Sequence, residues 1–188
     1  AADLASFREA LGLDGPLYAQ YFRFIADIFS GNLGNSFTQH KPALSVILER
    51  LPATLQLTGA SMLIGAVFGG ALGFLAAIYR DKSIASLIML PAFFGQAAPS
   101  FWLGLMAIQL FAVSLNWFPT GGSGTLAHLV LPALTLSTFT AAAVARLLRS
   151  SLVDVLNEDF ILAARSKGLG ARIVLFRHAF RNAVIPTV

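Results

Sequence analysis

The sequence predicts an all-α, polytopic transmembrane protein, and three observations carry that prediction. Hydrophobic residues make up 56% of the 188-residue chain and charged residues only 12%, against about a quarter charged in an ordinary soluble domain. From Pro52 to Tyr79 no charged residue interrupts the run, which exceeds the roughly 20 apolar positions a helix needs to cross a bilayer. Charges then return in short clusters, at Arg80, Asp81 and Lys82 and again from Arg146 onward, as they do where loops separate spans.

Composition also excludes several functions. A net charge of +4 would suggest nucleic acid for a soluble chain. Here the positive residues adjoin hydrophobic segments, so a lipid membrane is the expected partner and nucleic acid is not. Cysteine is absent, which removes disulfide frameworks, thiolate metal sites and cysteine nucleophiles. His40, His128 and His178 lie in separate regions, no His-Glu-x-x-His motif occurs, and no acidic residue falls inside a span. No catalytic residue, metal site or bound cofactor is therefore expected, and the chain does not read as an enzyme.

Residues 1–51 read as an extracytoplasmic segment, with Arg8, Arg23, Lys41 and Arg50 opposed by Asp3, Glu9, Asp14, Asp27 and Glu49. Leu4–Leu11 reads as a short helix ended by Gly12. Pro16–Ile28 reads as an amphipathic helix with Leu17, Tyr21, Phe24, Ile25 and Ile28 on one side. Tyr21 and Phe24 suit a membrane interface, and Gly31 to Ser36 supplies turn residues.

Residues 52–188 form the membrane domain. Its first span covers about 53–79, where Ser61, Gly65, Gly69, Gly73 and Ala77 recur every fourth residue. That stripe has almost no side-chain bulk, so a second helix can approach closely, either as static packing or as a sliding surface. After the charged turn, Pro91 and Pro99 interrupt the next apolar stretch. The expectation there is a bent or interfacial helix over Ile84–Phe94, then a span over about 98–116. Gln96, Ser100 and Gln109 are its polar residues, as interhelical hydrogen-bond partners or as pathway groups. Trp117 and Phe118 suit an aromatic belt, and Pro119–Thr125 an external turn without the lysine of a phosphate loop. The third span covers about 128–148, and its hydroxyls at Thr135, Ser137, Thr138 and Thr140 bond either their own backbone or a neighbour.

A basic loop over about 149–183 follows and should face the cytoplasm: Arg146, Arg149, Arg165, Lys167, Arg172, Arg177 and Arg181 outweigh Asp154, Glu158 and Asp159. Asn157 suits an N-cap, Glu158 and Asp159 the first turn, Lys167 the last turn and Gly168 the left-handed position beyond it. The result is a helix over 158–168 of about ten residues, roughly 15 Å long, too short to persist without something to dock against. Phe160, Ala163, Ala164 and Lys167 fall on one face at helical spacing, and its alanines leave room for a partner's side chains. Ala171–Asn182 reads as a surface helix with Ile173, Phe176 and Phe180 toward lipid; His178 is structural or a proton carrier. A further span begins at about 183–188, with Pro186 at its start.

The run Ala163-Ala164-Arg165-Ser166-Lys167-Gly168-Leu169, followed by Arg177-His178-Ala179-Phe180-Arg181-Asn182-Ala183 and Ile185-Pro186, resembles the EAA loop of ABC-transporter permeases. The resemblance is to the dipeptide, oligopeptide and nickel importer branch, the binding-protein-dependent inner-membrane components. Leu162 stands where the general motif has glutamate, a replacement common in that branch. Gly31-Asn32-Leu33-Gly34-Asn35-Ser36 is similar to the turn before the second helix of these permeases, with Asn32 in place of aspartate.

The resemblance implies a type I importer permease fold, in which the loop helix couples the membrane helices to an ATPase. Phe160, Ala163, Ala164, Arg165, Lys167, Gly168 and Leu169 would be the docking residues. The implied partners are a second homologous permease subunit, two ATP-binding subunits that use the ATP, and an extracytoplasmic solute-binding protein. The implied cargo is a short peptide or a similar solute such as glutathione or a nickel chelate, moved across the inner membrane by alternating access. A passive channel or secondary carrier, or a non-transporting membrane scaffold, would need no ATPase. The chain begins with Ala and stops at Val188 as an apolar segment begins. It therefore reads as an interior fragment lacking a first helix and the last two.

Overall fold

The computed structural model describes residues 15–36 and 38–185; the expected helix over Leu4–Leu11, and Pro186, lie outside them. The chain divides into two compact units, Ala1–Leu55 and Gln56–Val188. Among the described residues the structure is helical, and the one extended pairing is a bridge between Asn35 and Pro42.

In the first unit, Pro16 fixes the entry to helix α1, Leu17–Phe29, and its carbonyl accepts the N–H groups of Ala19 and Gln20 at 2.9 and 3.1 Å. No residue of α1 is buried, so Tyr21 and Phe24 stay exposed within this chain. Gly31 closes the helix at φ +81°, and Asn32 Oδ1 accepts the Gly34 N–H at 3.1 Å, fixing the turn.

Helix α2, Ala43–Ile78, starts well before the expected 53 and carries Pro52 inside it. Its opening residues include no glycine, and the Pro42 carbonyl receives both the Val46 N–H at 3.3 Å and the Ser45 hydroxyl at 2.7 Å. An interior proline costs one backbone hydrogen bond, and the continuous turns on either side hold the helix through it. The same applies to Pro91 in α3, Ile84–Ala97, which does not interrupt that helix.

Pro99 does break the chain. Ala98, the residue before it, is extended at φ −77° and ψ 136° as proline requires of its predecessor. Helix α4, Ser100–Ala107, then leaves at a bend of 106° and widens into a π-helix, π1, over Ile108–Ser114. Among the described residues two helices, α2 and α5 (Leu126–Leu156), are long and apolar enough to cross a membrane, or three spans if the bent pair counts as one.

Helix α5 is the hub of the second unit. The small stripe of α2 lies against it: Ser61, Gly65, Gly69, Gly73 and Ala77 are buried. An added Cβ would meet Thr140 Cβ at 2.8 Å from Gly65, Ala141 Cα at 2.8 Å from Gly69, and the Ala145 carbonyl at 2.5 Å from Gly73. On another side of α5, Met89 and Ala92 of α3 pack with Ala142, Ala145 and Ala76. Gly95 faces Thr138 and Gly104 faces Thr135. The hydroxyls of Thr135, Ser137 and Thr138 donate to the carbonyls of Leu131, Leu134 and Thr135 in their own helix. They thus remove their polarity from the apolar seam.

This packing sets a test. In the detergent-solubilised protein, Gly69→Ala should lower the thermal midpoint, at a cost of about 1–3 kcal/mol from overpacking. Gly59→Ala, where a Cβ meets nothing within 4 Å, should leave it unchanged or raise it slightly. Equal midpoints for the two variants would rule out the backbone seam.

Candidate functional site

The basic loop forms the short helix α6, Asp159–Ser166. It is eight residues long rather than about ten. Asn157 does not cap it. That residue closes α5 in a near-helical conformation, with its N–H on the Asp154 carbonyl at 3.0 Å. Turning from one helix axis to another needs one extended residue, and Glu158 supplies it at φ −72° and ψ 148°. Asp159 in the first turn and Arg165 in the last both oppose the helix dipole. Lys167 lies one residue beyond the last turn, as the C-cap.

The C-terminus is a Schellman closure. Gly168 sits at φ +76°, its N–H reaches the Arg165 carbonyl at 2.9 Å, and the Leu169 N–H reaches Ala164 at 3.3 Å. A side chain at Gly168 would meet no neighbour. The requirement there is conformational rather than steric, since the left-handed region penalises any Cβ.

Helix α6 is held by its own chain. Ile161 at 1% exposure and Ala164 at 7% enter a core with Leu148 and Leu152 of α5, Ala77 of α2, and Val174, Ala179 and Ala183 of the following segment. Ala164 therefore does not share an outward face with Phe160, Ala163 and Lys167. Ile161 is the larger apolar group and gains more by burial, so it sets the rotation of the helix, and Ala164, three residues on, turns inward with it. Phe160, Leu162, Ala163, Arg165, Ser166, Lys167, Gly168 and Leu169 remain exposed, Phe160 at 43% and Leu162 at 65%. Ile161 was not singled out in the sequence, and Leu162 only for its place in the motif. The signal for Ile161 was its spacing of three from Ala164, inside a helix already read as short.

Beyond Gly170 the chain forms α7, Ala171–Ile173, the π-helix π2, Val174–Phe180, and α8, Arg181–Ala183. A π-helix bonds each residue to the fifth one on and so brings residues five apart toward the same side. Val174 and Ala179, both buried, have that spacing. Phe176 and Phe180 bracket Phe74 of α2 with ring centroids 5.2 and 5.4 Å away. Phe180 is thus packed against the protein instead of turned to lipid, while Ile173 and Phe176 stay exposed. The arginines Arg172, Arg177 and Arg181 point outward.

The polar residues of the bent segment stand in different settings. Gln96 accepts a hydrogen bond from Arg146, and the Gln109 carbonyl accepts the Ser114 hydroxyl at 2.9 Å. Ser100 lines a cavity of about 430 Å³ with Phe101, Gly104, His128 and Thr135.

Comparison with known proteins agrees with this architecture. The family described as "Binding-protein-dependent transport system inner membrane component" matches residues 69–188, and its N-terminal counterpart matches residues 1–58. A glutathione transport system permease protein, GsiC, of Escherichia coli (strain K12) is 42% identical over 181 residues, 96% of this chain and 59% of that protein. The protein of the same name from Salmonella paratyphi A is 41% identical over 185 residues, 98% of this chain and 60% of that protein. The chain thus spans about three fifths of the length of these relatives.

The two faces of α6 should separate on substitution. Ile161→Ala should destabilise the protein by about 2–5 kcal/mol, and Gly168→Ala by about 1–2 kcal/mol. Phe160→Ala should shift its thermal midpoint little. A Phe160→Ala loss as large as that of Ile161→Ala would show that the helix is turned the other way.

Proposed function

Since the chain belongs to the family of binding-protein-dependent transport system inner membrane components, we propose that it is the coupling portion of an ATP-driven importer's permease subunit. In this reading α6 seats in a groove of an ATP-binding subunit. Phe160, Ala163, Arg165, Lys167, Gly168 and Leu169 make the contact together with Leu162, and Ala164 serves from behind by anchoring the helix. A second homologous permease subunit, two ATP-binding subunits and an extracytoplasmic solute-binding protein complete the assembly. ATP is used by the partners, and this chain performs no chemistry of its own.

The observation that carries the reading is the two-sided character of α6. A helix of eight residues is too short to stand alone, and it is fixed from one side by Ile161 and Ala164 while leaving Phe160 and Leu162 uncovered. Its anchoring core also contains Ala77 of α2 and Leu148 and Leu152 of α5. A displacement of α6 by a closing ATPase would therefore be passed directly to two spans, as alternating access requires. The name of the relatives supports glutathione, or a short peptide of similar chemistry, as the cargo.

The chain has no cysteine, so Ser166→Cys, placed in a complete permease with any cysteine outside this stretch removed, gives a single crosslinking site. A disulfide to a cysteine in the groove of the co-expressed ATPase subunit, with a yield that changes on adding ATP, is the expected result. Silence at Ser166→Cys and also at Ala163→Cys, in a complex shown to be intact, would remove the coupling role.

A further inference from the structure

A second constellation lies apart from the loop helix, where the inner end of α5 passes α3. Met89 and Phe93 of α3 and Arg146, Arg149, Ser150, Val153 and Asp154 of α5 line a cleft of about 390 Å³. Two guanidinium groups three residues apart on one helix turn share this cleft. Arg149 Nε is buried without a hydrogen-bond partner and is the one such side-chain atom among the described residues. The polar partner of Arg146 is the neutral amide of Gln96, which accepts a hydrogen bond but cancels no charge. Asp154 lines the same cleft and forms no ion pair with either arginine. Arg80 adds a further cation nearby, with Nη1 on the Val153 carbonyl at 3.3 Å.

Arg149 as a whole is half-buried and Arg146 exposed, so the cost falls on the one desolvated Nε, a donor left without a partner. Paired guanidinium groups match the planar, multi-oxygen geometry of phosphate and carboxylate better than any other side chains do. We propose that this cleft is an oxyanion-binding site, with Arg149 and Arg146 as its ligating groups and Ser150 as an additional donor. The oxyanion has two possible sources: the phosphate of an anionic phospholipid, or a free anion. The lipid is favoured by the setting. The site lies at the arginine-marked, cytoplasmic end of a span, where anionic headgroups concentrate and basic pockets between helices take them. Met89, Phe93 and Val153 beside the arginines give an acyl chain an apolar wall. The inference does not depend on α6 docking to an ATPase.

The test uses the complete permease complex in nanodiscs of either phosphatidylcholine alone or phosphatidylcholine with phosphatidylglycerol. Native mass spectrometry counts retained lipid, and thermal shift is read against added inorganic phosphate. Preferential retention of phosphatidylglycerol, weakened about five-fold by each of Arg146→Gln and Arg149→Gln and largely kept in Arg149→Lys, is the result expected for the lipid source. Stabilisation by inorganic phosphate that is lost in Arg149→Gln, without lipid preference, assigns the site to a free anion. Arg172→Gln, which removes an exposed loop charge, should change neither readout. The proposal falls if Arg172→Gln weakens binding as much as Arg149→Gln. It falls equally if neither anion binds in a way that depends on Arg149.

Discussion

At Gly69 and Gly73 the backbones of α2 and α5 run so close that no side chain fits between them, while at Gly65 the Thr140 side chain fills the space, and the rest of the membrane unit is arranged around that seam. Inside a bilayer, leaving lipid for protein gains little hydrophobic energy, so helices associate through close van der Waals contact over small residues. The seam supplies that contact and leaves the remaining sides of α5 free for α3 and α4. At its inner end Ala77 is fully buried in the same core as Ile161 and Ala164. The contact that joins two spans thus continues without a gap into the contact that holds the loop helix.

Much of this was legible from residues alone. The four-residue recurrence of Ser61, Gly65, Gly69, Gly73 and Ala77 is visible because absence of bulk leaves a periodic mark in a sequence. Gly168 was legible because few residues adopt a positive φ without strain. Pro99 was legible as a break because it constrains Ala98 as well as itself. Pro91 was not, since a helix packed along one face through Met89 and Ala92 absorbs a lost hydrogen bond that an isolated one would not.

The loop was harder to read, for a different reason. Its composition indicates a short amphipathic helix, but a one-residue error in phase turns such a helix by about 100° and brings different residues inward. Alanine gives little energetic guide to its own orientation. What decides the rotation is the burial of Ile161 in one core with Leu152 and Val174, residues outside the helix whose placement its own spacing does not fix. The π-helical winding over Val174–Phe180 is equally invisible locally, because it trades hydrogen-bond geometry for the placement of Val174 and Ala179 in the shared core. The unpaired Nε of Arg149 belongs to the same class: the sequence shows a basic residue at the end of a span, and only packing shows that one of its donors is desolvated.

The elbow at Ala98 and Pro99 carries a consequence for the surrounding bilayer. Gly95 loses the donor it would have used, because the residue four positions on is Pro99, and the Gln96 and Ala97 carbonyls also receive no backbone N–H across the bend. Three adjacent carbonyls without donors cannot rest in hydrocarbon, where each would cost several kcal/mol. The dry layer of the membrane must therefore stop short of the elbow, or other protein must roof it. Where no protein covers it, this short stretch of unpaired backbone acts as a depth gauge that limits how far the bent segment can sink into lipid.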